Sequence, residues 1–111
     1  MLEIERSGLP MGSYRDALEL IGEAAGNKAE LVALPSERLA PAFFDLKTQV
    51  AGEMTQKFSM YGVRLAIVGD VSAAIQNSSA FRDFVRESNR GKTIWFVAHM
   101  EELQQRLLGA N

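Results

Sequence analysis

The chain contains no cysteine. A disulfide framework and a thiolate metal site are both excluded, and the absence fits a reducing compartment. It has one histidine, His99. A zinc site of the HExxH type, or any site built on two imidazoles, therefore cannot form. Positive charge is not in excess, with 12 Lys and Arg against 14 Asp and Glu and a net charge of −2. Nucleic-acid binding calls for a basic stripe that is missing here. No apolar run approaches the ~18 residues of a membrane span. The first residues, MLEIERSGLP, are charged and broken by Gly8 and Pro10, unlike a signal peptide. The expectation is a soluble cytoplasmic protein that engages neither membrane nor nucleic acid and carries no metal or cofactor.

What is present is the balance of an ordinary globular domain, 47% hydrophobic and 23% charged over 111 residues. A single domain of this length buries about two thirds of the surface its unfolded chain exposes.

Strand and helix patterns alternate along the chain. Residues 2–5 alternate apolar and acidic side chains, as a half-buried strand does. Ser13 with Asp16 forms a weak capping box before a helix carrying Tyr14, Ala17, Leu18, Ile21, Ala24 and Ala25 on one face. Gly26 and Asn27 stop it. Residues 31–34 are a short buried strand closed by Pro35, and SERLAPA is a loop. FFDLKTQVAGEMTQKF, residues 43–58, predicts a helix running to Tyr61 and Gly62. Residues 63–68 form a central strand closed by Gly69 and Asp70. Ser78 or Ser79 caps a helix bearing Phe81, Phe84, Val85 and Ser88, which Gly91 ends. Residues 93–97, TIWFV, are β-branched and aromatic like a strand. A last helix uses Met100, Leu103, Leu107 and Leu108 as its apolar stripe.

The implied class is α/β, a four- to five-stranded, mainly parallel or mixed sheet with about four helices. In such folds ligands and partners meet the loops at the carboxyl ends of the strands. Those loops hold Ser36 and Glu37, then Asp70 and Ser72, then Ala98 and His99. Asp45 and Lys47 would open the helix that follows the first of them.

On that helix Phe43, Val50, Met54, Phe58 and Tyr61 fall on the apolar side. Asp45, Thr48, Gln49, Gly52, Thr55 and Gln56 fall on the polar side. Lys47 lies among the apolar residues, where its stem covers apolar surface or its ammonium holds an anion. Gly52 costs roughly 0.8–1 kcal/mol relative to alanine, so either something approaches the backbone or the position is free surface.

Catalytic constellations are thin. Ser36 or Ser72 with His99 and Asp70 could make a triad on paper, but no Gly-x-Ser-x-Gly elbow supports it. IVGD is followed by no phosphate-binding glycine motif, so Asp70 starts a loop and is a candidate ligand contact. His99 suits a helix N-cap or an exposed position better than a general base. RESNRGKT, residues 86–93, places Arg86, Arg90 and Lys92 where they complement a helix dipole, with Glu87 and Asp83 diluting any basic patch.

SGLPMGSYRDALELIGEA, FFDLKTQVAGEMTQKF, VRLAIVGD, SSAFRDFVRESNRG and WFV together resemble the bacterial domain of unknown function family 4180, over nearly the whole chain. Phe43, Phe44, Thr48, Ala51, Gly52, Glu53, Gln56, Lys57, Gly69, Asp70, Arg82, Asp83, Glu87, Ser88, Asn89, Arg90 and Gly91 match its pattern. The resemblance implies no established activity. Gln49 stands where the family has glycine. The family also carries a strand before residues 2–5, which implies a truncated start or an exposed sheet edge, and an exposed edge invites a homodimer. The order of elements looks, more distantly, like the STAS fold of anti-sigma-factor antagonists. Asp45 matches the aspartate of that fold's Asp-Ser pair, but the switch serine is absent and Thr48 lies a turn further on.

The reading is a non-catalytic interaction or regulatory module of STAS-like fold, without a phosphorylatable switch serine and with an unidentified protein partner. Its surface would comprise Ser36, Glu37, Asp45, Lys47, Thr48, Asp70, Ser72 and His99. The alternative is a small-molecule or anion binding domain using the same strand-end loops, and a hydrolase is a third reading. No residue is assigned a catalytic role.

Overall fold

Short connections cannot return a chain to a parallel neighbour unless they carry a crossover helix, and each of the first three strands here is followed by one. The computed structural model describes residues 1–109. Its strands are β1 (Leu2–Glu3), β2 (Leu31–Pro35), β3 (Arg64–Val68) and β4 (Ile94–Val97). They pair wholly in parallel in the spatial order β1-β2-β3-β4. The helices are α1 (Tyr14–Gly26), α2 (Val50–Tyr61), α3 (Ser72–Asn77), α4 (Ser79–Arg90) and α5 (Met100–Gly109). The short α3 is the helix that periodicity does not reveal. No helix among the described residues is long and apolar enough to cross a membrane.

Strand order fixes the layers. When consecutive strands are neighbours and every crossover is right-handed, all the crossover helices must stack on one face. That face carries Val32 and Leu34 of β2, Leu65 and Ile67 of β3, and Ile94 and Phe96 of β4, covered by α1, α2 and α4. Phe43, Phe44, Phe81, Phe84 and Phe96 form a continuous aromatic cluster there, with ring centroids 5.5–6.5 Å apart. Such pairs add about 0.5–1.5 kcal/mol each beyond the area they bury. The other face presents Leu31, Ala33, Ala66, Trp95 and Val97, and only α5, through Leu103, packs on it.

Local chemistry accounts for the boundaries. Ser13 and Asp16 close a reciprocal box at the start of α1, with the Asp16 amide donating to Ser13 Oγ at 3.3 Å and the Ser13 amide to Asp16 Oδ2 at 3.1 Å. Ser78, not Ser79, caps α4 by accepting the Phe81 amide at 3.1 Å. β1 stops at Glu3 although the Ile4 amide still reaches the Ala33 carbonyl. Beyond it the Glu5 and Leu9 carbonyls bond to the Arg38 guanidinium, at 2.8 Å and 3.2–3.3 Å. These bonds draw the chain off the sheet.

The expected helix over residues 43–61 is corrected. Pro41–Phe44 and Leu46–Thr48 are single 3₁₀ turns, Gln49 adopts the left-handed conformation at φ 68°, and α2 begins only at Val50. Side chains compete with the helix for its own backbone. Asp45 Oδ1 takes the Lys47 amide at 3.1 Å, and the Thr48 hydroxyl lies 2.6 Å from the Ala42 carbonyl and 2.7 Å from that of Asp45. The wheel is corrected with it. Tyr61 is 60% exposed. Thr55 is buried, its hydroxyl donating to the Ala51 carbonyl at 2.8 Å. Leu108, counted in the apolar stripe of the last helix, is 87% exposed.

Candidate functional site

Because α5 starts at Met100, above the end of β4, it leaves the carboxyl ends of the strands open on its own face. A cleft of about 340 Å³ lies there, with Glu3 at the end of β1 and Arg6 beyond it, Glu37 from beyond β2, Gly69 after β3, and Ala98, His99 and Met100 at the start of α5. Ala33 and Val68 form its apolar floor. Gly69 shapes the rim. Its φ of 149° suits glycine, and a Cβ at that position would overlap the Ser36 side chain. The end of β3 is thereby seated against the Ser36–Arg38 turn, which carries Glu37. Ser36 itself packs under the rim.

His99 has a defined role at that cleft. Its Nδ1 accepts the Glu102 amide at 3.2 Å, while Glu102 Oε1 accepts the Ala98 amide at 3.0 Å. This is a reciprocal cap on α5. With Nδ1 accepting, the neutral ring carries its proton on Nε2, the atom left for a ligand.

Asp70 and Ser72 belong to a different arrangement. Asp70 Oδ1 accepts the Ser72 amide at 2.9 Å at the start of α3. Hydrogen bonds from the Ser72 side chain and then its backbone hold the Asp70 carboxyl below the usual carboxylate range. A carboxylate stabilised in its ionised form is a weak proton acceptor. No hydrogen bond among the described residues joins His99 to either of them.

Asp45 and Lys47 line a separate groove of about 530 Å³ between the 3₁₀ turns before α2 and the junction of α3 with α4, with Pro41, Phe44, Ala74, Asn77 and Ser78. It shares no lining residue with the strand-end cleft. Lys47 is exposed and forms no ion pair among the described residues. The oxygen of Thr48 is occupied, since besides the two carbonyls it lies 3.3 Å from the Val50 amide. Above Gly52 nothing lies within 4 Å of a built Cβ. Its backbone is free surface among the described residues.

The structure therefore brings Glu37 and His99 together in one cleft, groups Asp45 with Lys47 elsewhere, and uses Ser36, Thr48, Asp70 and Ser72 in packing and local turns. Glu3 and Arg6 join the cleft without having been singled out in sequence. The signal for Glu3 was available, because an alternating strand places it on the side of the sheet opposite Leu2. For Arg6 there was none, since its position depends on the Arg38 tether. No group of three or more His, Cys, Asp or Glu among the described residues is placed to hold a metal ion.

The model of a family described as a domain of unknown function, DUF4180, matches residues 1–107. No curated protein and no solved structure matches the chain. Neither comparison supports the likeness to the STAS fold.

Proposed function

The chain belongs to the DUF4180 family, and on that footing we propose that it is a non-catalytic binding module that takes a small polar ligand in the strand-end cleft. The carrying observation is the convergence there of two carboxylates, Glu3 and Glu37, with the Arg6 guanidinium and the His99 imidazole over an apolar floor. A cleft of this kind at the carboxyl ends of parallel strands is the usual site in open α/β sheets. Its mixed charges suit a ligand with both a cationic and an anionic group. The volume, at the lower end of the ~300–1,000 Å³ of small-molecule sites, favours a compact one.

In a regulatory role, a protein partner would read the same cleft with its ligand in place. The hydrolase reading draws no support from the geometry, because Asp70 is engaged by Ser72 in a local turn and no hydrogen bond among the described residues joins either to His99. A phosphoserine switch of the STAS kind draws none either, since α2 starts after Asp45 and Lys47 and the nearby Thr48 hydroxyl is bonded.

The test is thermal unfolding against a panel of zwitterionic and anionic small molecules. A ligand at 100 times its Kd stabilises the native state by about 2.7 kcal/mol. Arg6→Ala, which alters an exposed residue, should abolish the shift. His99→Asn should weaken it while keeping the cap, because asparagine is a good N-cap. If Lys47→Ala abolishes the shift and Arg6→Ala leaves it unchanged, the site has been misassigned.

A further inference from the structure

The other end of α5 overlies a cluster centred on Trp95. The Arg64 and Arg106 guanidinium carbons stand 4.4 and 4.0 Å from the centroid of its ring. Arg64 comes from the start of β3, Arg106 from α5, and Lys92 from the turn after α4. Each guanidinium is fixed by a carbonyl. Arg64 Nε donates to the Lys92 carbonyl at 2.7 Å, and Arg106 Nη2 to the Asn89 carbonyl at 3.0 Å. The indole Nε1 donates to the Gly91 carbonyl at 2.8 Å.

Carbonyls position these cations but do not neutralise them. Among the described residues Arg64, Lys92 and Arg106 form no ion pair, whereas Arg82 and Arg86 share Asp83 and Arg90 pairs with Glu87. A shallow groove of about 510 Å³ is lined by Arg90, Lys92, Trp95, Gln105 and Arg106, with Arg64 behind it against the Trp95 ring. Glu102 also lines it, with its Oε1 bonded to the Ala98 amide. Two guanidinium groups on a nearly buried indole (3% exposed), with Lys92 in the adjoining groove, repel one another, and an anion relieves that repulsion. The protein as a whole carries a net charge of −2. This concentration of positive charge is therefore local.

We infer that this groove is a binding site for a phosphoryl group of a small ligand, independent of the strand-end cleft. Guanidinium groups match phosphate oxygens with paired donors, and several cations together favour a multiply charged anion over a single carboxylate. The helix dipole adequately explains Arg90 and Lys92 at the end of α4. It does not explain why another element, α5, brings Arg106 to the same groove.

Trp95 is the only tryptophan, so its emission reports on the site directly. Full-length protein would be titrated with inorganic pyrophosphate at ionic strength held constant with sodium chloride. The expected result is a saturable change in emission. Lys92→Glu, at an exposed turn, should raise the half-saturation concentration about tenfold or more. Arg106→Gln should do the same if it folds, and Lys92→Glu decides the matter if it does not. An emission change no larger than chloride alone produces would overturn the inference, as would Lys92→Glu titrating like the unaltered protein.

Discussion

One face of the sheet carries three crossover helices and the phenylalanine cluster, whereas the other carries α5 alone. Sequential strand order with right-handed crossovers makes this asymmetry unavoidable. The difference separates two jobs. The crowded face supplies stability through rings and methyls interlocked from the strands and the crossover helices. The sparse face is spanned by a helix of 10 residues, about 15 Å long at 1.5 Å per residue. Both ends of that helix leave clefts, the strand-end cleft at His99 and the Trp95 groove at Arg106.

The sharpest way to break this comparison is to weaken each face in turn. Phe81→Ala removes a fully buried ring from the crowded face and should cost about 3–5 kcal/mol, measured by urea unfolding. Leu103→Ala, the buried anchor of α5, should cost about 2–3 kcal/mol. It should also release α5 locally, so that amide exchange accelerates in α5 while α1 and α2 stay protected. Uniform loss of protection would show that the two faces are one cooperative unit.

Smaller changes refine the picture. Thr48→Val deletes the hydroxyl that ties the two 3₁₀ turns to α2 and should cost about 1–2 kcal/mol in the same assay. Gly52→Ala places a methyl in open space on a helix and should stabilise by about 0.5–1 kcal/mol. Destabilisation would mean that the crowded face has a neighbour above α2.

The smallest effect concerns pH. Because Ser72 lowers the folded pKa of Asp70, its contribution is complete above the unfolded value, near 3.9, and disappears as pH falls through the lower folded value. The stability gap between Asp70→Ala and the unaltered protein should therefore be open at pH 7 and narrow in strong acid. A gap independent of pH would remove the Asp70–Ser72 hydrogen bond from the explanation.

The order of elements was legible because alternation of period two and period 3.6 survives in each segment. Residues 43–49 misled because Asp45 and Thr48 bond to nearby backbone, a competition that periodicity does not register. Glu37 and His99 were legible as strand-end residues. Arg6 was not, because its place depends on Arg38 gripping carbonyls 29 and 33 residues away. Arg64 and Arg106 were invisible for a similar reason: their partners are a tryptophan ring and main-chain carbonyls, which leave no charge pattern in the sequence.

The most direct test of the claim that binding belongs to the sparse face is a backbone amide chemical-shift map with a ligand found in the stabilisation panel. We expect the perturbed amides to be those of Glu3, Arg6, Glu37, Gly69 and His99, with α1 and α2 unmoved. Perturbations confined to Asp45, Lys47, Ala74 and Ser78 would contradict it.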